Sequence, residues 1–134
     1  MRVLIDTNII LDILQEREPF VEDAARLFER LDGGELEGFI AATTITNIYY
    51  IIRKAAGIEA ARDAIAQTLI DLQICAVDRD ILERASALNF QDFEDAVQHA
   101  CAVVYNVDAI VTRDLAGFVE AEIPVKLPRE ILKG

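Results

Sequence analysis

The stretch Val3-Leu4-Ile5-Asp6-Thr7-Asn8 decides the fold. A short run of branched apolar residues is typical of a strand that is buried on both faces, as the strands of a parallel sheet are. Asp6 follows directly, where the chain turns towards a helix. In open α/β sheets the functional groups lie at the carboxyl ends of the strands. Because burying a lone carboxylate is costly, we expect Asp6 to meet a cation, hydrogen-bond donors or solvent.

Length and composition indicate one domain with an ordinary hydrophobic core. The chain has 134 residues, of which 53% are hydrophobic, and we predict a single domain over residues 1–134. No apolar run reaches the roughly 18 residues of a membrane span. The start, Met1-Arg2-Val3, is read as the first strand and not as a signal peptide. Cys75 and Cys101 lie in apolar stretches without CxxC spacing, which favours core thiols in a reducing cytoplasm.

The net charge of −11, from 13 basic and 24 acidic residues, has the wrong sign for holding nucleic acid by bulk attraction. Scattered acids of this kind are also explained by solubility alone. If the substrate is a polyanion, local groups must bind it. A divalent cation or a small basic patch such as Arg53-Lys54 would serve.

Hydrophobic spacing predicts that strands and helices alternate along the chain, which is typical of an α/β fold. Predicted helices cover residues 8–14, 19–33, 43–57, 58–70, 78–88 and 92–105, and predicted strands cover 36–42, 72–77, 108–111 and 123–128. Pro19 is expected to open the second helix, and a threonine to cap the third. Pro124 and Pro128 place the last strand at an edge of the sheet, since prolines interrupt a central ladder.

The predicted helix at 92–105 carries two acids. Its buried stripe is expected to consist of Phe93, Ala96, Val97, Ala100 and Val104. Asp92, Asp95 and His99 follow one another at spacings of three and four along an adjoining edge, so both carboxylates should face the same way. Asp92 is more simply explained as the helix N-cap, and His99 as a structural histidine of the core.

The segment Asp108–Asp114 repeats the opening pattern: an apolar strand, Ala109-Ile110-Val111, is followed by Thr112 and Asp114. If this strand lies beside the first one, both carboxylates reach one edge of the sheet.

Together, Asp6-Thr7-Asn8, Asp92-Phe93-Glu94-Asp95-Ala96 and Val111-Thr112-Arg113-Asp114 resemble a PIN-domain nuclease of the VapC toxin type. The resemblance covers nearly the whole chain. It implies a three-layer α/β/α sandwich around a central, mostly parallel sheet of four or five strands. It also implies a metal-dependent ribonuclease in which Asp6, Asp95 and Asp114 hold Mg²⁺ or Mn²⁺.

One position departs from the family pattern, because Asn47 stands where members usually carry a glutamate. An asparagine can coordinate through its carbonyl oxygen or a water, but it adds no negative charge. Asp92 would compensate if it turned inward. The alternative is a catalytically weakened PIN-fold module that binds RNA or protein.

The resemblance extends to supporting residues and partners. Thr7, Asn8 and Thr112 would order metal-bound waters, although Asn8 is also explained as a helix cap. Arg113 would clamp a phosphate or would simply be a solvated charge. The implied partners are an RNA substrate, a second copy in a homodimer and a small antitoxin protein.

Other chemistries fit the residues less well. The chain has one histidine, so a His-His acid/base pair is excluded, and no serine stands in a nucleophile-elbow motif. Converging carboxylates suit Mg²⁺ or Mn²⁺ better than zinc. Receiver domains need a pair of acids after the first strand, and haloacid-dehalogenase phosphatases need a second aspartate two residues after the first. Here Asp6 is followed by Thr7 and Asn8.

Overall fold

The computed structural model describes residues 1–133. The elements are β1 (Arg2–Ile5), α1 (Thr7–Leu14), α2 (Val21–Asp32), β2 (Glu37–Ala41), α3 (Ala42–Ala56), α4 (Ile58–Asp71), β3 (Gln73–Cys75), α5 (Arg79–Ser86), α6 (Phe93–Val104), β4 (Ala109–Val111), β5 (Val125–Lys126) and α7 (Pro128–Leu132). A 3₁₀ turn, Leu115–Phe118, follows β4. In the described residues no helix is long and apolar enough to cross a membrane.

The sheet has five strands in the order β3-β2-β1-β4-β5, and every pairing is parallel. Helices α1 to α4 and α7 contribute to the core on one face, and α5 and α6 to the core on the other. Successive β1 side chains enter opposite cores, and Val3, Leu4 and Ile5 are all fully buried. The predicted three-layer α/β/α sandwich is confirmed, as is the edge position of the last strand.

The register between β1 and β4 decides where the polar residues lie. Ile5 pairs with Val111, so the next residues, Asp6 and Thr112, reach the same edge of the sheet. The Asp6 N–H also donates to the Val111 carbonyl, at 3.0 Å. The strand at 109–111 therefore lies beside the first strand, which is the condition for both carboxylates to reach one edge.

Two predicted helix starts are wrong. α2 begins at Val21, and Pro19 lies in the turn before it. α3 begins at Ala42, and its N-cap is Ala41, which has no side chain to cap with. Thr43 and Thr44 consequently lie inside the first turn of α3, because β2 passes directly into the helix without a loop residue.

Three residues predicted to be buried are exposed. In the predicted helix at 58–70 the spacing of Ala61, Ile65 and Leu69 predicts that these three face inward. Leu69 is instead 52% exposed, because α4 buries Ala61, Ala64 and Thr68. The other two, Phe93 and Val104, are 53% and 44% exposed because they are the end residues of α6. Both cysteines are free and buried, as predicted.

Candidate active site

Asp6 is held by three hydrogen bonds at the edge of the sheet. It caps α1, and its Oδ1 accepts from the Thr7 N–H at 2.7 Å and from Gln98 Nε2 at 2.9 Å. Thr112 Oγ1 donates to Oδ2 at 2.7 Å. The residue is 6% exposed. Since a carboxylate offers about four lone-pair sites, this network fixes the orientation of Asp6 and leaves one site for a further ligand.

Asp114 lies at the same edge, two residues after Thr112. Its N–H donates to Thr112 Oγ1 at 2.9 Å, so the Thr112 hydroxyl connects the backbone of Asp114 to the side chain of Asp6. Asp114 caps the 3₁₀ turn, where its Oδ1 accepts from the Gly117 N–H at 3.2 Å. Thr112 thus supports both acids through direct hydrogen bonds.

Asp95 lies in the first turn of α6, among other acids. Burial and then the charges of neighbouring carboxylates raise the pKa of Asp95 from its ordinary value of 3.8 to about 7. These neighbours, in order of their effect, are Asp6, Asp92, Asp114 and Glu94. A divalent cation would relieve this repulsion.

Asp92 is the N-cap of α6. Its Oδ1 accepts from the Asp95 N–H at 3.0 Å, and the residue is exposed. The capping explanation is therefore the one that the structure supports. The Asp92 carboxylate therefore does not turn inward to replace a missing ligand.

Gly117 is the point where two of the acids meet. A methyl group placed on Gly117 would stand 2.7 Å from Asp95 Oδ2 and 2.9 Å from Asp114 Oδ2. The same three residues line a cleft of about 480 Å³. A small space bordered by carboxylate oxygens fits a hard divalent cation, which prefers such ligands.

Within residues 1–133, no three His, Cys, Asp or Glu side chains are close enough together to hold an ion in their present orientations. Binding therefore requires the carboxylates to turn towards one another.

The raised pKa of Asp95 predicts how the stability of EDTA-treated protein depends on pH. Between about pH 4 and 7 the folded protein keeps a proton that the unfolded chain releases, so the free energy of unfolding should fall as the pH rises through this window. Urea unfolding at several pH values measures it. Asp95→Asn is the matched variant, and the fall should be smaller in it. Equal pH slopes in both proteins would contradict the assignment.

Thr7 connects the starts of three helices. Its hydroxyl donates to Glu94 Oε1 of α6 at 3.0 Å and lies 3.4 Å from Thr44 Oγ1 of α3. Thr44 is fully buried. Asn47 lies one turn further along α3 and is half-buried. Three residues apart on a helix, Thr44 and Asn47 share a face, so Asn47 lies on the side of α3 that is turned towards Thr7.

Asn8 differs from its predicted place, whereas His99 agrees with its explanation as a structural histidine. Asn8 does not cap α1, because the helix begins one residue earlier and Asp6 is its cap. His99 is 1% exposed, its Nε2 accepts from the Glu122 N–H at 3.0 Å, and burial lowers its pKa. His99 is a neutral structural histidine and not part of the acidic cleft.

Sequence analysis missed Gln98, which the structure places at Asp6. Gln98 is fully buried, and the only recorded hydrogen bond of its side chain is the one it donates to that carboxylate. Its position three residues after Asp95 was the available signal, because residues at that spacing share a helix face. The sequence analysis places His99, one position further on, on the same edge of the helix as Asp95.

The basic residues lie away from the acids. Arg113 pairs with Asp12 in a bidentate salt bridge, with N–O distances of 2.7 and 3.0 Å, and stacks on the ring of Phe20. Asp12 is fully buried, so the role of Arg113 is to neutralise the charge of Asp12. Arg113 is therefore not a phosphate clamp of the candidate site. Arg53 and Lys54 are exposed in the last turn of α3, about 14 Å along the helix from Thr44 at its usual rise.

Known proteins of similar sequence and fold agree with this arrangement. A sequence profile of the PIN domain matches residues 2–116. Ribonuclease VapC1 of Aquifex aeolicus (strain VF5) is 26% identical over 118 residues, 84% of this chain and 81% of that protein. A chain in a toxin-antitoxin complex from Klebsiella pneumoniae has a TM-score of 0.70 at 25% identity, over 94% of this chain and 97% of that one. VapC20 of Mycobacterium tuberculosis, a sarcin-ricin loop cleaving toxin, has a TM-score of 0.69 at 19% identity, over 89% and 98%. The chain therefore belongs to the PIN-domain family.

Proposed function

We propose that residues 1–134 form a single PIN domain that hydrolyses RNA phosphodiester bonds with a divalent metal, Mg²⁺ or Mn²⁺, held by Asp6, Asp95 and Asp114. The observation that supports this is the pair of carboxylate oxygens of Asp95 and Asp114 that border the space at Gly117, at the edge of the sheet to which Asp6 is fixed. The 26% identity to Ribonuclease VapC1 supports the same reaction.

The protein's own groups have distinct tasks in this mechanism. Gln98 and Thr112 fix the orientation of Asp6 and leave one of its lone pairs free for the metal. Asp95 must release its proton before its oxygens can coordinate, so the affinity for the metal should rise with pH up to about 7. A bound divalent metal would lower the pKa of a water and neutralise charge on the phosphate. Thr7, Asn8 and Thr112 are proposed to orient waters around this centre.

The RNA is proposed to be held by local charges, since the protein as a whole carries a charge of −11. Arg53 and Lys54 are exposed at the far end of α3 and are the proposed contacts with phosphates outside the cleavage site. Their contribution to affinity should fall as salt is raised.

We further propose that the protein acts in the cytoplasm as the toxin of a toxin-antitoxin pair and forms a homodimer. The similarity to a chain of the Klebsiella pneumoniae toxin-antitoxin complex supports the antitoxin. Exposed apolar residues on α3 and α4 supply surface for partners: Tyr50, Ile51, Ile58, Leu69 and Ile70. Purification of the native protein should yield a small co-purifying protein, and its absence would count against the toxin assignment.

The proposed reaction is tested by incubating the protein with mixed single-stranded and structured RNA in Mn²⁺, Mg²⁺ or EDTA. Cleavage in either metal and none in EDTA is the expected result. RNA binding without cleavage in any metal would instead favour the weakened binding module, for which Asn47, an uncharged residue at the family's glutamate position, is the supporting observation.

A further inference from the structure

Glu94 reaches from α6 to the start of α1. It lies next to Asp95 in sequence, but on a helix the two side chains diverge by about 100°. Glu94 is half-buried, and its Oε1 accepts a hydrogen bond from Thr7 Oγ1 at 3.0 Å. The Glu94 carboxylate is thereby fixed to the first residue of α1, directly after Asp6.

This contact brings the carboxylate of Glu94 towards the face of α3 that lacks a charge. Thr44 Oγ1 lies 3.4 Å from the same Thr7 hydroxyl, and Asn47 shares the helix face of Thr44. At Asn47, the position where the resemblance to PIN-domain nucleases implies an acid, α3 carries a neutral side chain. Glu94 therefore supplies a negative charge from α6 on the side where α3 supplies none.

A second observation points to a ligand at this place. Gln98, three residues after Asp95 on α6, is fully buried, and its Nε2 donates to Asp6 Oδ1. Its Oε1 is buried without any hydrogen-bond partner in the described part of the chain, and so is the Oδ1 of Asn8. Buried acceptor oxygens normally have a partner. The unpartnered acceptor of Gln98 lies on the amide that contacts Asp6, and it is suited to a cation or to the waters that a cation holds.

Asp92, the other extra acid of α6, is a weaker candidate. It is exposed, and its carboxylate is engaged in capping the helix. Glu94 has no capping task, and its one recorded side-chain hydrogen bond joins it to the residue after Asp6.

We propose that Glu94 is the fourth acid of the metal site and serves in place of a glutamate on α3, where this chain has Asn47. Thr7 is the residue that positions Glu94. This inference rests on the proposed function. It explains how a chain with an asparagine on α3 retains four carboxylates around one divalent ion: Asp6, Glu94, Asp95 and Asp114.

The test is calorimetric titration of the full-length protein with MnCl₂. Glu94→Gln keeps the shape of the side chain and an oxygen that accepts from Thr7, and it should weaken Mn²⁺ binding at least about 10-fold. Glu120→Gln is the matched control, because Glu120 lines the same cleft as Asp95 and Asp114 without contacting Thr7, and its affinity should stay within about twofold.

A double variant separates a lost ligand from a damaged fold. Asn47→Glu introduced into Glu94→Gln returns a carboxylate to the α3 side, and it should restore both the affinity and the rise in Tm that Mn²⁺ produces. Mn²⁺ affinity unchanged in Glu94→Gln but lost in Asp6→Asn would overturn this inference and leave the proposed function standing. No Mn²⁺ binding by the unmodified protein would overturn the proposed function and this inference with it.

Discussion

Replacing Asp6 by Asn should lower the rate of RNA cleavage about 10³-fold, which corresponds to about 4 kcal/mol of transition-state stabilisation. The substitution removes the charge that would bind the metal, while the amide has nearly the same shape. Its oxygen can still accept from the Thr7 N–H and Gln98 Nε2, and its nitrogen can donate to the Thr112 hydroxyl. The fold should therefore persist.

Cleavage rates in Mn²⁺ and the Tm in EDTA measure the two effects separately. Asp32→Asn removes one charge from an exposed position at the end of α2, and it should leave the rate within about twofold. If Asp6→Asn cleaved RNA as fast as Asp32→Asn, the edge of the sheet after β1 would not be the active site.

Replacing Gly117 by Ala should lower the rate about 10²-fold with a modest effect on stability. The added methyl would stand 2.7 Å from Asp95 Oδ2 and 2.9 Å from Asp114 Oδ2, so both carboxylates must move away from the space between them. Gly117 does not adopt a positive φ, and its backbone accepts alanine without strain. Because carboxylate ends can rotate, we expect about 1 kcal/mol of destabilisation, at the lower end for overpacking.

Gly33→Ala is the control for this variant. There the nearest atom to an added methyl is the Glu29 carbonyl oxygen, at 3.4 Å, far from the acids. Gly117→Ala should unfold at a slightly lower urea concentration than Gly33→Ala, and only Gly117→Ala should lose activity and Mn²⁺ affinity. Full activity in Gly117→Ala would show that the space between Asp95 and Asp114 is not used.

Much of the fold could be predicted from local patterns. The apolar run before Asp6 indicates a buried parallel strand, and the similar run before Thr112 indicates a second. Their adjacency explains why residues 106 positions apart form a 2.7 Å hydrogen bond. Asp92 was also interpretable from the sequence, because acids before an amphipathic segment favour helix caps. Periodicity predicted that Leu69 and Phe93 are buried, and both are exposed. The spacing of apolar residues identifies a helix more reliably than it identifies which side of that helix packs against the rest of the protein.

The rest depends on contacts between distant segments, which periodicity does not report. Asp12 looks like a solvent-facing residue of a short amphipathic helix, yet it is fully buried and paired with Arg113. Glu94 was overlooked because it does not share the helix face of Asp95, and its contact with Thr7 exists only in the folded chain. Gly117 has no sequence signal of its own, and its importance comes from the two carboxylates that border it.

A crystal structure of the protein soaked in Mn²⁺, with anomalous scattering recorded near the manganese edge, tests the central proposal most directly. We expect an anomalous peak within about 2.5 Å of carboxylate oxygens from Asp6, Asp95 and Asp114. A peak bound elsewhere, or no peak at this edge of the sheet in crystals soaked at millimolar Mn²⁺, would contradict it.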